Sequence, residues 1–159
     1  MARAALFSPG PSIAAIAIAK DGTTGDMNFG SIVTNGAGGT VALSAASSAV
    51  RSATGITLGT AAQVHAAKFT VTGETGAAYT ILLPDDVTVT IDDGAAGDAM
   101  DVTTFVSSPA EGNNGLLTGG SEILYVGATL VVNANQLAGI YTGTFDVTVV
   151  RLSAKRFET

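Results

Sequence analysis

The chain has 159 residues, the length of a single domain, which at that size buries roughly 68–70% of its unfolded surface. A net charge of −6 with only seven basic residues excludes a nucleic-acid backbone as partner, because neutralising phosphates takes clustered Lys and Arg. Cysteine is absent, which excludes disulfides, thiolate metal sites and a thiol nucleophile, and no run approaches the about 18 apolar residues of a membrane-spanning helix.

The hydrophobic share of 47% rests mostly on Ala and Val, with 6% aromatic residues and no Trp. That predicts a thin core of small side chains, as between two close-packed sheets. Only 13% of residues are charged, against roughly 25% in ordinary domains. The resulting surface of Thr, Ser, Ala, Asn and Gly tolerates contact with copies of itself.

In chain order, Arg3 precedes the short apolar run Ala4, Ala5, Leu6 and Phe7, which Pro9 and Pro11 interrupt before the core of a secretion signal forms. The expectation is a mature secreted chain with Met1 added or retained. Period-two alternation of Val, Ile and Thr then recurs between Gly, Asn-Gly and Asp-Gly turns, the signature of short strands. Ser12 to Lys20 forms the first predicted strand, with Ile16 and Ile18 on one face, and ends at Asp21-Gly22. Met27 to Thr34, Thr40 to Ser44 and a short strand around Ile56 and Leu58 follow, with Ala45 to Ala49 as the one helical candidate. Lys68 to Thr72 and Ala78 to Leu83 flank Gly73-Glu74-Thr75-Gly76, which reads as a hairpin loop. Val87 to Ile91 and Met100 to Val106 come next, then a Gly- and Asn-rich loop from Glu111 to Gly120. Ile123 to Val126, Thr129 to Asn133 and Tyr141 to Leu152 complete about ten strands, a spacing that favours a β-sandwich. The predicted domains are an N-terminal extension over 1–11, a sandwich over 12–152 and a tail over 153–159.

No catalytic set assembles in this sequence. His65 is the one histidine, no G-x-S-x-G elbow accompanies it, and it reads as structural. Asp92, Asp93, Asp98 and Asp101 form the one weak candidate for a Ca²⁺ site, with Gly94 and Gly97 able to bend the loop, but turn chemistry explains them more simply. No cofactor is expected, and the chain does not read as an enzyme.

Met27-Asn28-Phe29-Gly30-Ser31-Ile32-Val33, Arg51-Ser52-Ala53-Thr54-Gly55, Phe69-Thr70-Val71-Thr72-Gly73 and Tyr79-Thr80-Ile81-Leu82-Leu83-Pro84 succeed one another in a telling order. Val126-Gly127-Ala128-Thr129-Leu130 and Ala138-Gly139-Ile140-Tyr141-Thr142-Gly143-Thr144-Phe145 close the series. In order and spacing these blocks resemble a secreted bacterial family, domain of unknown function forty-four-zero-two, over about residues 12 to 151. The closing block is in turn similar to the end of chaperone-usher pilins and spore-coat-like subunits. That resemblance implies an immunoglobulin-like, pilin-like β-sandwich that lacks a strand and is completed by a neighbouring copy.

The functional expectation is a structural subunit of an extracellular filament at a bacterial surface. Its partners would be copies of itself, with a periplasmic chaperone and an outer-membrane usher as further expected partners. The subunit interface is expected to draw on Ala2, Ala4, Leu6, Phe7, Ile13, Ile16, Ile18, Phe145, Val147 and Val149, and either end of the chain can be the donor of the strand. Ser12 to Ala19 can equally be an ordinary first strand of its own domain. The alternative function is a monomeric adhesin or glycan-binding module, for which Tyr125, Tyr141 and the Glu111 to Gly120 loop are the best offering.

Overall fold

The structure, a computed structural model, describes residues 15–22, 24–60, 63–86, 89–92 and 99–153, with 89–92 described by backbone alone. Among the described residues twelve strands carry the fold: β1 (Ala17–Lys20), β2 (Ile32–Val33), β3 (Gly39–Leu43), β4 (Arg51–Thr54), β5 (Thr57–Leu58) and β6 (Ala67–Thr72) come first. They are followed by β7 (Ala78–Leu82), β8 (Val89–Asp92), β9 (Ala99–Ser108), β10 (Gly112–Leu116), β11 (Ser121–Val132) and β12 (Thr148–Arg151).

The organising element is β11, whose Leu124, Val126, Ala128, Leu130 and Val132 all face the core. On one edge it pairs with β9; on the other it pairs first with β6 and then, beyond Gly127, with β3. A Cβ at Gly127 would collide with the backbone of Leu43, Ser44 and Ala45, so glycine is what lets the chain leaving β3 pass this close to the strand. Sequence reading expected a break at this glycine and two strands. The structure runs straight through it, because Gly127 answers a need for space and not for a turn.

β9 meets β11 with one residue too many. Gly127 pairs with Val106 and Thr129 with Thr103, so an extra residue of β9 bulges there, with Thr104 at φ 51°. The bulge shifts the inward phase: Met100 and Val102 face in ahead of it and Phe105 after it. β1 pairs with β6, β4 with β3 and β8 with β9, all antiparallel, which completes the seven-stranded main sheet.

Over the inner face of this sheet lies a smaller one of order β10-β7-β12, from which Tyr79 and Ile81 enter the core fully buried. The two sheets share one apolar cluster and make an all-β sandwich. β2 and β5 form a separate two-stranded ribbon beside it.

Several expectations change here. Gly73 to Gly76 does not join a hairpin: β6 belongs to the main sheet and β7 to the small one, so this turn carries the chain between layers. Ala45 to Ala49 forms bends and no helix, because Ser44 closes the loop on Val50, its N–H donating to the Val50 carbonyl at 3.0 Å and its hydroxyl accepting from Val50 N–H at 2.9 Å. Within the predicted loop 111–120, Gly112–Leu116 is a strand on β7. Of Tyr141 to Leu152, only Thr148–Arg151 is strand.

Candidate functional site

The small sheet covers only part of the main sheet's inner face. Over the remainder, where Ala67, Phe69, Met100, Val102, Leu130 and Val132 point inward, the cover is two segments outside both sheets, residues 25–34, which include β2, and 136–145. Between these segments and the sheet opens an apolar groove of about 1020 Å³, which starts where β1 ends at Lys20 and follows Tyr141 to Phe145, the stretch that leads into β12.

Each wall is fixed by specific polar contacts. Gln136 is 7% exposed; its Nε2 donates to the Tyr141 hydroxyl at 2.9 Å, and that hydroxyl donates to the Leu137 carbonyl at 2.7 Å. The opposite wall is held by Arg51 of β4. Nη1 donates to the carbonyls of Phe29 and Ser31, each at 2.8 Å, and Nη2 to that of Gly59 at 2.6 Å. Gly30, between the two bonded carbonyls, has φ +71° and lies against Arg51 Nη1 and Val64, so both its backbone conformation and its lack of a side chain serve this contact. His65 secures the same wall from behind, exchanging backbone hydrogen bonds of 2.8 and 3.1 Å with Asn28.

Three backbone carbonyls held by one planar guanidinium is an arrangement an ammonium cannot reproduce. Arg51→Ala is therefore expected to cost about 2 kcal/mol of stability, and Arg51→Lys to recover less than about half of that. Urea unfolding midpoints of the two variants check it.

Two ion pairs lie near the end of β1, and the first of them, Lys20 with Asp26, lines the groove. Lys20 Nζ lies 2.5 Å from Asp26 and Lys68 Nζ 2.5 Å from Asp21, each pair on the surface. Asp21 beside it holds the Lys68 ammonium above its ordinary range. Among the described residues, no strand lies on the edge of β12 that faces away from β7. β1 is the corresponding edge of the main sheet, and the two edges lie against each other on this side of the sandwich.

The residues singled out from sequence fall out as follows. Phe145, Val147 and Val149 pack against this chain's own core, with the Phe145 ring 6.4 Å from Phe69 and 5.2 Å from Phe105. Ile16 and Ile18 also pack on the core, and Ala17–Lys20 is a strand of its own domain. That corrects the option in which this stretch is lent to a neighbour: pairing with β6 already uses its backbone. Ala2, Ala4, Leu6, Phe7 and Ile13 lie outside the described residues, as do Asp93 and Asp98.

Asp92 is described by backbone alone, opposite Ala99, and Asp101 sits opposite Val131 on β9. Among the described residues no group of three or more His, Asp or Glu could hold a metal ion. Tyr125 alternates with buried Leu124 and Val126 and so faces outward, whereas Tyr141 lines the groove on the inner side. The two tyrosines thus share no surface patch. Sequence reading missed Arg51 and Gln136, whose partners are backbone carbonyls and a hydroxyl brought together from distant segments.

Taken together, the described residues form an all-β sandwich in which the small sheet covers only part of the main sheet's inner face. The chain belongs to the family described as Domain of unknown function (DUF4402), whose model matches residues 16–150. No curated protein and no solved structure matches it.

Proposed function

We propose that this protein is a structural subunit that polymerises head to tail into an extracellular filament, each copy lending a strand to the groove of the next. The observation that carries the reading is the apolar groove of about 1020 Å³ over the part of the main sheet's inner face that the small sheet leaves uncovered. An added strand would bury the apolar lining and gain main-chain hydrogen bonds in one step. Head-to-tail addition of this kind does not close on itself, so it gives a fibre.

The donor in this reading is the N-terminal extension, residues 1–11, with Ala2, Ala4 and Leu6 on one face. Residues 4–10 are uncharged, which suits a groove whose lining charges Lys20 and Asp26 are paired with each other. By this account the fold is an immunoglobulin-like, pilin-like sandwich short of its last strand, and a periplasmic chaperone and an outer-membrane usher are the partners that would deliver it to the cell surface.

The test is direct. Purified full-length protein should form polymers that resist SDS and show as filaments by electron microscopy, and deletion of residues 1–11 should abolish them. A truncated chain that polymerises at the full-length rate refutes this donor, and a full-length chain that stays monomeric at high concentration refutes the filament.

A further inference from the structure

The chain has no cysteine, so its oxidisable sulfur is that of three methionines. Met1 lies outside the described residues, and the other two, Met27 and Met100, both line the groove. They are placed differently in it. Met100 belongs to β9 in the floor and is 6% exposed, whereas Met27 stands in the 25–34 wall, half-buried against the core cluster. The main chain on either side of Met27 is pinned: the Gly25 carbonyl accepts from Lys68 N–H at 3.0 Å, and Asn28 N–H donates to the His65 carbonyl at 2.8 Å. A change of polarity at this side chain is therefore not relieved by moving the backbone out of the wall.

We infer that Met27 is an oxidation site that turns the groove from apolar to polar, so that a peroxide blocks strand uptake by free subunits. In the step, a lone pair of the Met27 sulfur attacks one oxygen of hydrogen peroxide. The O–O bond breaks and an S–O bond forms; sulfur gives up two electrons, and the departing hydroxide takes the proton of the transferred oxygen and leaves as water. The product is the sulfoxide, a polar side chain in place of a flexible apolar one. Its oxygen is an acceptor that needs a donor once water is excluded. In the lining, Lys20 and Asp26 are paired with each other and Gln136 donates to Tyr141, so a buried sulfoxide would compete for donors with bonds already made.

The consequence for assembly rests on the filament reading, while the modification site and its effect on the groove do not. A seated strand would cover Met27, so oxidation acts on subunits before assembly and spares finished filaments.

The experiment treats the full-length chain with hydrogen peroxide and follows each methionine by peptide mass spectrometry. Binding of anilinonaphthalene sulfonate, a dye for apolar surface, is read by fluorescence alongside. Met27 should gain one oxygen about 10-fold faster than Met100, in keeping with its greater exposure. Dye affinity should fall about 10-fold in step with Met27 oxidation, and return when methionine sulfoxide reductases for both epimers are added. Met27→Gln should reproduce the loss without oxidant. Met27→Leu, which still carries Met1 and Met100, should come through the peroxide step with its own dye affinity unchanged. Polymer from oxidised subunits should fall about 10-fold, with preformed filaments left intact.

Met27 oxidising no faster than Met100 overturns the site, and so does a wild-type chain that binds no dye. Dye affinity that survives Met27 oxidation, or is lost equally in Met27→Leu, overturns the effect on the groove. Undiminished polymer from subunits oxidised at Met27 overturns the block on assembly with the filament intact. A wild type that loses dye on oxidation but never polymerises removes the filament reading and leaves the oxidation site standing. If the oxidised chain unfolds by circular dichroism, Met27→Gln decides.

Discussion

Gly127→Val is expected to lower the melting temperature by about 12 °C. The Cβ it introduces would overlap the Leu43 carbonyl oxygen and come within 2.8 Å of Ser44 C and 2.9 Å of Ala45 N, all of them backbone atoms. An overpacked core costs about 1–3 kcal/mol when side chains can rearrange. Here only main chain can move, and moving it would part β3 from β11, so the cost is set at about 4 kcal/mol. For a domain of this length each kcal/mol is worth roughly 2–4 °C. Gly119→Ala is the control, since nothing lies within 4 Å of the added carbon, and it should stay within about 2 °C of wild type. Thermal unfolding followed by circular dichroism reads both. Equal shifts in the two variants would sink the argument.

The second large effect concerns Tyr79, whose ring is fully buried in the small sheet against Gly115. Its hydroxyl donates to Glu122 Oε2 at 2.6 Å, and the same oxygen accepts from Leu116 N–H at 3.1 Å. This one contact ties β7 and β10 of the small sheet to β11 of the main sheet. Tyr79→Ala should cost about 4 kcal/mol, close to the loss of a buried aromatic ring, and Tyr79→Phe about 1.5 kcal/mol for the bond alone.

Burial, and then the Glu122 carboxylate beside it, raise the phenol's pKa above its ordinary value. A folded pKa raised above the unfolded one means the stabilisation is whole below about pH 10 and is lost as pH rises beyond it, because the unfolded chain releases the proton first. Tyr79→Phe lacks this group. The gap in urea midpoint between wild type and Tyr79→Phe should thus be constant from pH 7 to 9 and close above about pH 10. A gap that stays constant to pH 11 would show that the phenol is not held as the structure places it.

Much of the sandwich can be read from alternation alone. Lys68 to Thr72, Ala78 to Leu83 and Met100 to Val106 each lie on a strand within a few residues of the predicted bounds, because a period of two with Val, Ile and Phe on one face has no other packed solution. Turn chemistry misled where it met tertiary demand. Gly127 has the look of a breaker and is a point of close approach; Gly73 to Gly76 has the look of a hairpin and changes layers. Gly112–Leu116, Gly-Asn-Asn-Gly-Leu, has poor strand propensity and is a strand because β7 offers it an edge and Glu111 and Asn113 bond back to Leu83 and Thr80.

The groove shows the same division. That Phe145, Val147 and Val149 alternate inward is legible locally, and so is an uncharged stretch near the N-terminus. That Arg51 would reach Phe29, Ser31 and Gly59, or that Gln136 would reach Tyr141 beneath a segment lacking regular pairing, follows from no local pattern.

What the sequence determined by itself is the class of architecture: small β-branched and Ala side chains in alternation, with few charges, dictate thin stacked sheets, since side-chain period is a property of each strand alone. What only the tertiary structure decided is which edges meet and where cover runs out. Edge pairing and groove formation depend on which distant strand packs against a given edge of β11, and that long-range pairing leaves no mark on any single stretch of chain.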